Sequence, residues 1–300
     1  MSVQRIVYHG WPDSLLLTNG AVEAIVVPVI GRVMQFRFAG DESGPFWEND
    51  ELHGRFGSAR SNGKWLNSGG DKTWPSPQAD WEQHTERAWP PPAAFDSIPY
   101  QAHVQDQEVL LTSEVDPHYG IKATRDVKLA THAPQLEITT EFHKVNAAPV
   151  RVGVWVITQL REPERVFALL PETTKFANGY LQQMGPAPKD VRRDGRFLSL
   201  KRDPRKSVKI GTEATSLLWM DDHLALGIRA EDSPGEYPNS GSRTEIYTNP
   251  DPLRYVELET EGPLATLKTG ERMIRTNTYT LYRRSTPNCL SEARHLFGLD

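Results

Sequence analysis

Short segments in which apolar and polar residues alternate, many of them rich in β-branched side chains, recur from Leu15 to Tyr282. Successive side chains of a β-strand point to opposite faces, so alternation with a period of two indicates half-buried strands. Amphipathic helical patterns are scarce, and the connections are too short for the helices of about 10–15 residues that a parallel sheet requires. The pattern therefore predicts an all-β fold, either an antiparallel sandwich or a larger two-sheet array.

Turn and cap signals add detail to this prediction. Asn19-Gly20 and Asp194-Gly195 each lie between strand-like segments and predict tight hairpins in which both turn residues have a positive φ. One helix is predicted after Pro287, with Ser291 as its candidate N-cap. No long Pro/Gly-rich linker divides the chain, so residues 1–300 are expected to form a single domain.

Charge and composition argue against several classes of protein. The formal net charge is −5, with 39 acidic and 34 basic side chains spread along the chain, whereas a nucleic-acid partner requires a concentrated basic surface. The basic stretch from Lys189 to Lys209 is interpreted as a solvated hairpin. The single cysteine, Cys289, allows no intrachain disulfide, and no nucleotide-binding motif occurs, so no cofactor is expected. Because an apolar leader and a run of about 20 apolar residues are both lacking, we expect a cytoplasmic protein without a membrane partner.

The densest chemistry lies between Trp65 and Trp89, a segment that reads WLNSGGDKTWPSPQADWEQHTERAW and holds four of the eight tryptophans. Tryptophan mixed with glycine, proline and short polar residues fits a regular strand or helix poorly and is typical of a binding loop. Flat indole faces beside amides and carboxylates suit a sugar ring, although the indoles could instead form a structural plug between two sheets. Gly69 and Gly70 are expected to place the next two residues at a turn tip. The candidate sugar-binding residues are Trp65 and Trp74 for stacking and Asn67, Asp71, Lys72 and Gln78 for hydrogen bonds.

A second unusual segment, RYVELETEGP, carries three carboxylates in strand-like alternation. Val256 and Leu258 would face one side of such a strand, whereas Glu257, Glu259 and Glu261 would face the other. On a solvent-exposed face these would be ordinary surface charges. In a polar cleft, burial and like charge would raise the pKa of a carboxyl group into the range that is useful for proton transfer.

Three segments resemble the aldose 1-epimerase, or galactose mutarotase-like, superfamily. The stretch YVELETEGPLATLKTGE, followed by TNTYTLY, resembles the closing strands, where a catalytic glutamate occurs in an L-E-T context. LTNGAVEAIVVPVIGRVMQF resembles the opening hairpin, and NAAPVRVGVWVITQL resembles the mid-chain strand that normally carries a catalytic histidine. The resemblance implies a β-supersandwich with a concave, sugar-sized cleft and a small-molecule carbohydrate as its ligand.

The resemblance assigns roles to particular residues. Glu259 matches the L-E-T glutamate, while Glu257 fits the Y-x-E-L pattern of more distant carbohydrate-active relatives, so either is the candidate base. The position of the mid-chain histidine falls near Trp155, which would contact the substrate but cannot donate and recover a proton. Mutarotation needs an acid at the ring oxygen and a base at the anomeric hydroxyl, so another acid is required. His118 is the candidate, with Arg125 facing the same cleft.

The tryptophan-rich segment offers two alternative acids, His84 and Lys72. Lys72 is expected to bind a hydroxyl or carboxylate rather than to act as an acid. A metal site built from Asp71, Asp80, Glu82 and His84 would match no recognised ligand spacing, so no metal is expected.

Three functions are compatible with these features. The leading one is an aldose 1-epimerase-like isomerase that acts on a sugar or sugar derivative, with Glu257 or Glu259 as base. The second is a non-catalytic carbohydrate-binding protein, which Trp155 at the histidine position favours. The third is a lyase or hydrolase acting on an acidic sugar whose carboxylate is held by Lys72 and Arg125. All three place the tryptophan-rich segment beside the glutamates, despite their separation in sequence.

Overall fold

The computed structural model describes residues 2–56, 65–188 and 190–299. Within these ranges the chain forms two large sheets in which all strand pairs are antiparallel, and its few helices are short. The all-β, two-sheet fold predicted from the alternation is therefore confirmed.

The first sheet combines the N-terminal strands with strands from the middle and later parts of the chain. Its order is β1-β2-β3-β4-β5-β10-β19-β18-β15-β12, with β20 paired to β10. Its strands are β1 (Ser2–Tyr8), β2 (Trp11–Thr18), β3 (Val22–Val27), β4 (Arg32–Phe38), β5 (Asp71–Ser76), β10 (Val150–Arg161), β12 (Leu181–Met184), β15 (Val208–Thr212), β18 (Thr244–Thr248), β19 (Tyr255–Glu261) and β20 (Ala265–Leu267).

The second sheet has the order β13-β14-β11-β16-β17-β21-β9-β8-β7-β6. Its strands are β6 (Gln101–Gln105), β7 (Glu108–Val115), β8 (Ile121–Leu129), β9 (Gln135–Lys144), β11 (Arg165–Leu169), β13 (Arg192–Asp194), β14 (Phe197–Leu200), β16 (Ser216–Met220), β17 (Leu224–Ala230) and β21 (Arg272–Arg283). The helices are α1 (Trp81–Thr85), α2 (Ala93–Asp96), α3 (Pro238–Gly241) and α4 (Cys289–Leu296).

The main hydrophobic core lies between the two sheets. Val256 and Leu258 of β19 are fully buried there, with Leu226, Tyr279 and Leu281 of the second sheet in the same cluster. Burial of these apolar faces stabilises the fold by roughly 25 cal/mol per Å² of apolar surface. The alternate residues of β19 therefore face away from the core. We call this side of the first sheet, turned away from the second sheet, the outer face.

The central strand β10 fixes the register of the outer face. It is buried along almost its whole length and pairs with β5 on one side and β19 on the other. Trp155 lies opposite Trp74 of β5, and Gln159 lies opposite Glu257 of β19. Side chains from three strands that are far apart in sequence consequently line one surface.

The prediction of a loop between Trp65 and Trp89 is wrong for Asp71–Ser76, because these residues form the fully buried strand β5. Pro75 cannot donate a hydrogen bond to a neighbouring strand, which normally excludes it from the centre of a sheet. Here β5 pairs with β4 at a single position, Val33 opposite Asp71, so most of that edge needs no ladder of hydrogen bonds.

The two predicted hairpins form, but their turns differ from the prediction. Between β2 and β3, Gly20 has a positive φ, while the side chain of Asn19 accepts hydrogen bonds from the next backbone amides. Between β13 and β14 the turn residues are Gly195 and Arg196, one position later than predicted. Because neighbouring polar residues compete for turn positions, sequence alone placed the turns less well than the strands.

The predicted C-terminal helix is present as α4, with a different cap. Asn288 is the N-cap, and its side chain accepts a hydrogen bond from the backbone N–H of Ser291. Ser291 therefore lies inside the first turn rather than at the cap position. Across the described ranges, no helix combines the length and apolar character needed to cross a membrane.

Candidate functional site

The tryptophan-rich segment builds an indole cluster around Trp74. The Trp74 ring meets those of Trp65, Trp81, Trp89 and Trp155 edge to face, with centroid distances between 5.4 and 6.0 Å. Trp74, Trp81 and Trp155 are buried, whereas Trp65 is half-buried and Trp89 is 46% exposed. The buried indoles fill space, so Trp65 and Trp89 are the members of this cluster that a ligand can reach most readily.

Asp96 of α2 anchors this cluster to the first sheet. Its buried carboxylate accepts hydrogen bonds from Trp65 Nε1 at 2.9 Å and Trp74 Nε1 at 3.1 Å. The same carboxylate forms an ion pair with the buried guanidinium of Arg32 at 2.8 Å. Hydrogen bonds from a charged donor and two indoles satisfy this buried carboxylate, so the indole rings are held in fixed positions.

Asp71 and Arg125 lie between the sheets, which corrects their expected places at a turn tip and facing a cleft. Both side chains are fully buried and form an ion pair with each other. The second carboxylate oxygen of Asp71 accepts hydrogen bonds from Thr158 Oγ1 at 2.6 Å and Tyr279 Oη at 2.7 Å. The alternation of β5 turns Asp71 inward and its neighbour Lys72 outward, because consecutive strand residues face opposite sides. Asp71 and Arg125 thus connect the two sheets.

Lys72 reaches Glu257 on the outer face. Its Nζ lies 3.8 Å from Glu257 Oε1 and 5.1 Å from the centroid of the Trp74 ring. Gln159 Nε2 donates a hydrogen bond of 2.8 Å to the same Glu257 oxygen. The Lys72 ammonium is buried without a hydrogen-bond partner, and burial lowers the pKa of Lys72 to about 8. Glu257 retains 15% side-chain exposure, so this pair combines an enclosed cation with an accessible carboxylate.

Glu259 has a different environment from Glu257. Its Oε2 accepts hydrogen bonds from Trp155 Nε1 at 2.7 Å and Lys209 Nζ at 2.8 Å. Lys209 also pairs with Glu245, so one ammonium serves two buried carboxylates. Burial raises the pKa of Glu259, and the nearby Glu245 adds to this effect. This arrangement holds Glu259 rigidly and leaves Glu257 as the accessible glutamate.

The position of Lys209 corrects the interpretation of residues 189–209 as a solvated hairpin. Lys209 lies in β15, its side chain is only 12% exposed, and its ammonium lies 4.6 Å from the Trp155 ring centroid. Arg202 is also buried, where it pairs with Glu162. Arg192 and Arg193 are exposed, in agreement with the prediction, while Lys189 lies outside the described residues.

Glu261 extends the row of carboxylates along β19. It is fully buried, and neither of its carboxylate oxygens has a hydrogen-bond partner. Burial raises the pKa of Glu261 well above its ordinary value, and the charge of Glu245 raises it further. The expectation that Glu257, Glu259 and Glu261 share a face agrees with the register of β19. A fully solvated surface is excluded for the last two.

Aromatic side chains flank the Glu257 end of this row. The rings of Trp47 and Tyr255 lie 4.5 Å apart, and Tyr247 lies 6.2 Å from Tyr255. The predicted binding residue Asn67 is buried, and its backbone carbonyl accepts a hydrogen bond of 3.2 Å from the side chain of Asn49. Trp47 and Tyr247 are partly exposed, whereas Tyr255 is buried. Exposed ring faces beside the Glu257 carboxylate match the mixed surface of a sugar.

A depression of about 580 Å³ lies near the opposite end of β19. Arg151, Tyr237 and Arg243 contribute to its lining. The backbone carbonyl of Arg243 accepts a hydrogen bond from the Glu261 amide, so the depression adjoins Glu261 rather than Glu257.

The remaining predicted residues lie away from these contacts. Gln78 is exposed in a single 3₁₀ turn after β5. His118 is exposed in the turn between β7 and β8 of the second sheet, where its backbone amide donates to Asp116. His84 packs against Tyr119, with ring centroids 4.8 Å apart.

Sequence reasoning missed Gln159, Lys209, Glu245 and Tyr247. These residues lie on strands that join the outer face only through long-range pairing of β10, β19, β18 and β15. Glu245 and Tyr247 are two positions apart in β18, so strand alternation could have placed them on one face. Alternation alone could not have shown that this face joins the outer face of the first sheet.

No protein-family profile and no curated protein sequence matches the chain. Solved structures do resemble it. A galactose mutarotase-like protein from Lactobacillus casei ATCC 334 is 11% identical, with a TM-score of 0.60, and the match covers 90% of this chain and 100% of that one. A galactose mutarotase related enzyme from Lactobacillus acidophilus is 9% identical, with a TM-score of 0.55 and coverage of 92% and 98%. The chain therefore has the galactose mutarotase-like fold, as its sequence segments suggested.

Proposed function

We propose that the outer face of the first sheet binds a carbohydrate and that the protein is an aldose 1-epimerase-like isomerase. One observation carries this proposal. Lys72 presents a buried ammonium without a hydrogen-bond partner, 3.8 Å from the accessible carboxylate of Glu257. An unsatisfied buried cation is costly, and a ligand oxygen beside it would recover part of that cost.

In the proposed reaction, Lys72 is the acid and Glu257 is the base. Glu257 takes the proton of the anomeric hydroxyl while Lys72 gives a proton to the ring oxygen. The bond between the anomeric carbon and the ring oxygen breaks, and a carbonyl forms at the anomeric carbon. After rotation about the neighbouring carbon–carbon bond, the ring closes on the other carbonyl face, and both protons return.

The geometry suits this division of roles. The ring oxygen and the anomeric hydroxyl are bonded to the same carbon, so an acid and a base that lie side by side can serve both. A pKa of about 8 keeps Lys72 mostly protonated at pH 7 yet lets it release a proton more readily than an ordinary lysine. This assigns Lys72 a stronger role than the hydroxyl or carboxylate binding expected from sequence.

The choice of Glu257 over Glu259 follows from their partners. Glu259 is enclosed by Lys209 and Trp155, whereas Glu257 is accessible. Glu259 and Trp155 would instead position the neighbouring groups.

A second candidate function is a non-catalytic carbohydrate-binding protein. Trp155 occupies the position near which the resemblance expects a histidine, and its N–H is committed to Glu259. A lyase or hydrolase acting on an acidic sugar would need both Lys72 and Arg125 to hold the substrate carboxylate. Arg125 is instead paired with Asp71 between the sheets, so the structure does not favour this function.

Exchange between α- and β-anomers, followed by NMR over a panel of aldoses and their derivatives, tests the proposal. Wild-type protein should accelerate exchange of at least one sugar. Lys72→Met and Glu257→Gln should each reduce that acceleration by about 10²–10⁴-fold, as loss of a general acid or base does.

A matched control comes from an exposed lysine–glutamate pair on the second sheet. Lys128 Nζ lies 2.8 Å from Glu137 Oε1, and Lys128→Met and Glu137→Gln should leave the rate unchanged. Equal rates in wild type and both outer-face variants would remove Lys72 and Glu257 from the mechanism. Saturable sugar binding without acceleration would favour the binding protein.

A further inference from the structure

We propose that His9, Glu48 and His53 form a binding site for a divalent transition-metal ion, with zinc as the best fit. Two imidazoles and one carboxylate are a ligand set that zinc accepts in proteins, usually with a fourth position open to water or substrate. No recognised metal-ligand spacing is visible in the sequence, because His9 lies about 40 residues before Glu48 and His53.

The three side chains converge on a small volume. One nitrogen of each histidine and one Glu48 oxygen all lie within 4.8 Å of one another. Glu48 Oε2 lies 3.7 Å from His53 Nε2 and 4.0 Å from His9 Nε2. Zinc bonds of about 2.0–2.2 Å in a tetrahedral site place ligand atoms about 3.3–3.6 Å apart. Small rotations of the side chains would therefore close the set around an ion.

Two of the ligand atoms have unused bonding capacity. Glu48 Oε2 and His53 Nε2 are both buried without a hydrogen-bond partner. The two imidazoles stack, with centroids 4.1 Å apart and planes inclined by 5°. Buried polar atoms normally have partners, and a cation at this point would supply a partner to each of them.

The surrounding side chains orient the carboxylate. Glu48 Oε1 accepts hydrogen bonds from Tyr8 Oη at 2.5 Å and Gln35 Nε2 at 3.1 Å. These bonds fix one oxygen of Glu48 and leave the other directed at the histidines. Hydrogen bonds to a ligating carboxylate are a common feature of protein metal sites.

The backbone holds the two histidines side by side. His9 and Gly10 form the two-residue turn between β1 and β2, and both have a positive φ. A Cβ at Gly10 would approach Gly54 Cα to 3.3 Å, so these two glycines allow the turn and the chain after His53 to pack closely. The His9 side chain is 45% exposed, which leaves an entry path for the ion.

The proposed metal site borders the outer face but does not include Lys72 or Glu257. Glu48 follows Trp47, whose ring packs against Tyr255. The inference therefore stands whether or not the protein acts on a carbohydrate.

Calorimetry with zinc chloride on untagged protein, previously dialysed against a chelator, tests the proposal. We expect one zinc ion to bind per chain and Co²⁺ to give the intense visible absorption of a four-coordinate site. His9→Asn keeps a residue that tolerates the left-handed conformation but removes the imidazole. It should weaken zinc binding by at least about tenfold, as should His53→Gln, because even outer-shell changes commonly cost about 10–100-fold.

A control variant separates this site from adventitious binding by surface histidines. His103 is exposed on β6 of the second sheet, so His103→Asn should bind zinc as wild type does. Absence of zinc binding by wild type, or unchanged affinity in His9→Asn, would overturn the proposal. Circular dichroism checks that each variant folds, and His9→Asn remains decisive if His53→Gln does not fold, since His9 lies on an accessible turn.

Discussion

Asp71 and Lys72 are neighbours in sequence but belong to different parts of the molecule. Asp71 pairs with Arg125 between the sheets, and Lys72 approaches Glu257 on the outer face. A change of one residue in the phase of a strand exchanges the two faces. The chemistry of each charged residue in β5 therefore depends on register, and residue type alone does not determine it.

The buried ammonium of Lys72 should make stability depend on pH. Burial lowers the pKa of Lys72 to about 8 from the ordinary value of 10.5. The folded state therefore binds fewer protons than the unfolded state between these values, so the free energy of unfolding rises with pH across this range. Below pH 8 the full cost of the buried charge is present.

The Lys72→Met variant lacks the buried charge. Its free energy of unfolding should therefore exceed that of the wild-type protein by up to about 3 kcal/mol at pH 7. The difference from wild type should shrink as pH increases to about 10.5. Urea unfolding at several pH values measures it, with Lys128→Met at the exposed pair as the control. A variant less stable than wild type at pH 7 would show that attraction to Glu257 outweighs burial.

At the scale of elements, β5 is where sequence reasoning failed and β19 is where it succeeded. Alternation placed Val256 and Leu258 in the core and the three glutamates on the other face, as the structure has them. In β5 both faces are buried and a proline interrupts the pattern, so alternation gives no signal. Its pairing with β10 over six positions identifies the segment as a strand.

The entry of the chain into β5 depends on Gly69. This residue has a φ of +96°, and a Cβ there would collide with the carbonyl oxygen of Trp47. Gly40 has a similar φ of +87° but nothing within 4 Å of a Cβ. Gly40→Ala should therefore cost only the backbone strain, about 1–2 kcal/mol.

Gly69→Ala should cost about 1–3 kcal/mol more than Gly40→Ala, because overpacking is added to the same strain. Urea unfolding gives both values, and near-ultraviolet circular dichroism reports whether the indole cluster is disturbed. Equal losses in the two variants would show that the contact with Trp47 relaxes freely.

At the scale of the whole molecule, the sequence predicted the two-sheet fold but only part of the candidate site. Alternation is local, and it recurs often enough to identify most strands. The site depends on which strands become neighbours: Lys209 reaches Glu259 only because β15, β18 and β19 pair in that order. That order is set by contacts distant in sequence, and so Lys209 and Glu245 could not be anticipated.

The outer face of the first sheet is the proposed carbohydrate site. A ¹H–¹⁵N spectrum shows the indole N–H signals of the eight tryptophans. Spectra recorded during titration with a panel of sugars test whether this face binds one of them. A sugar that binds should shift the signals of Trp65, Trp89 and Trp155 and leave that of Trp219, on β16 of the second sheet, in place. Shifts at Trp219 with the other three unmoved, or no shift with any sugar of the panel, would contradict the claim.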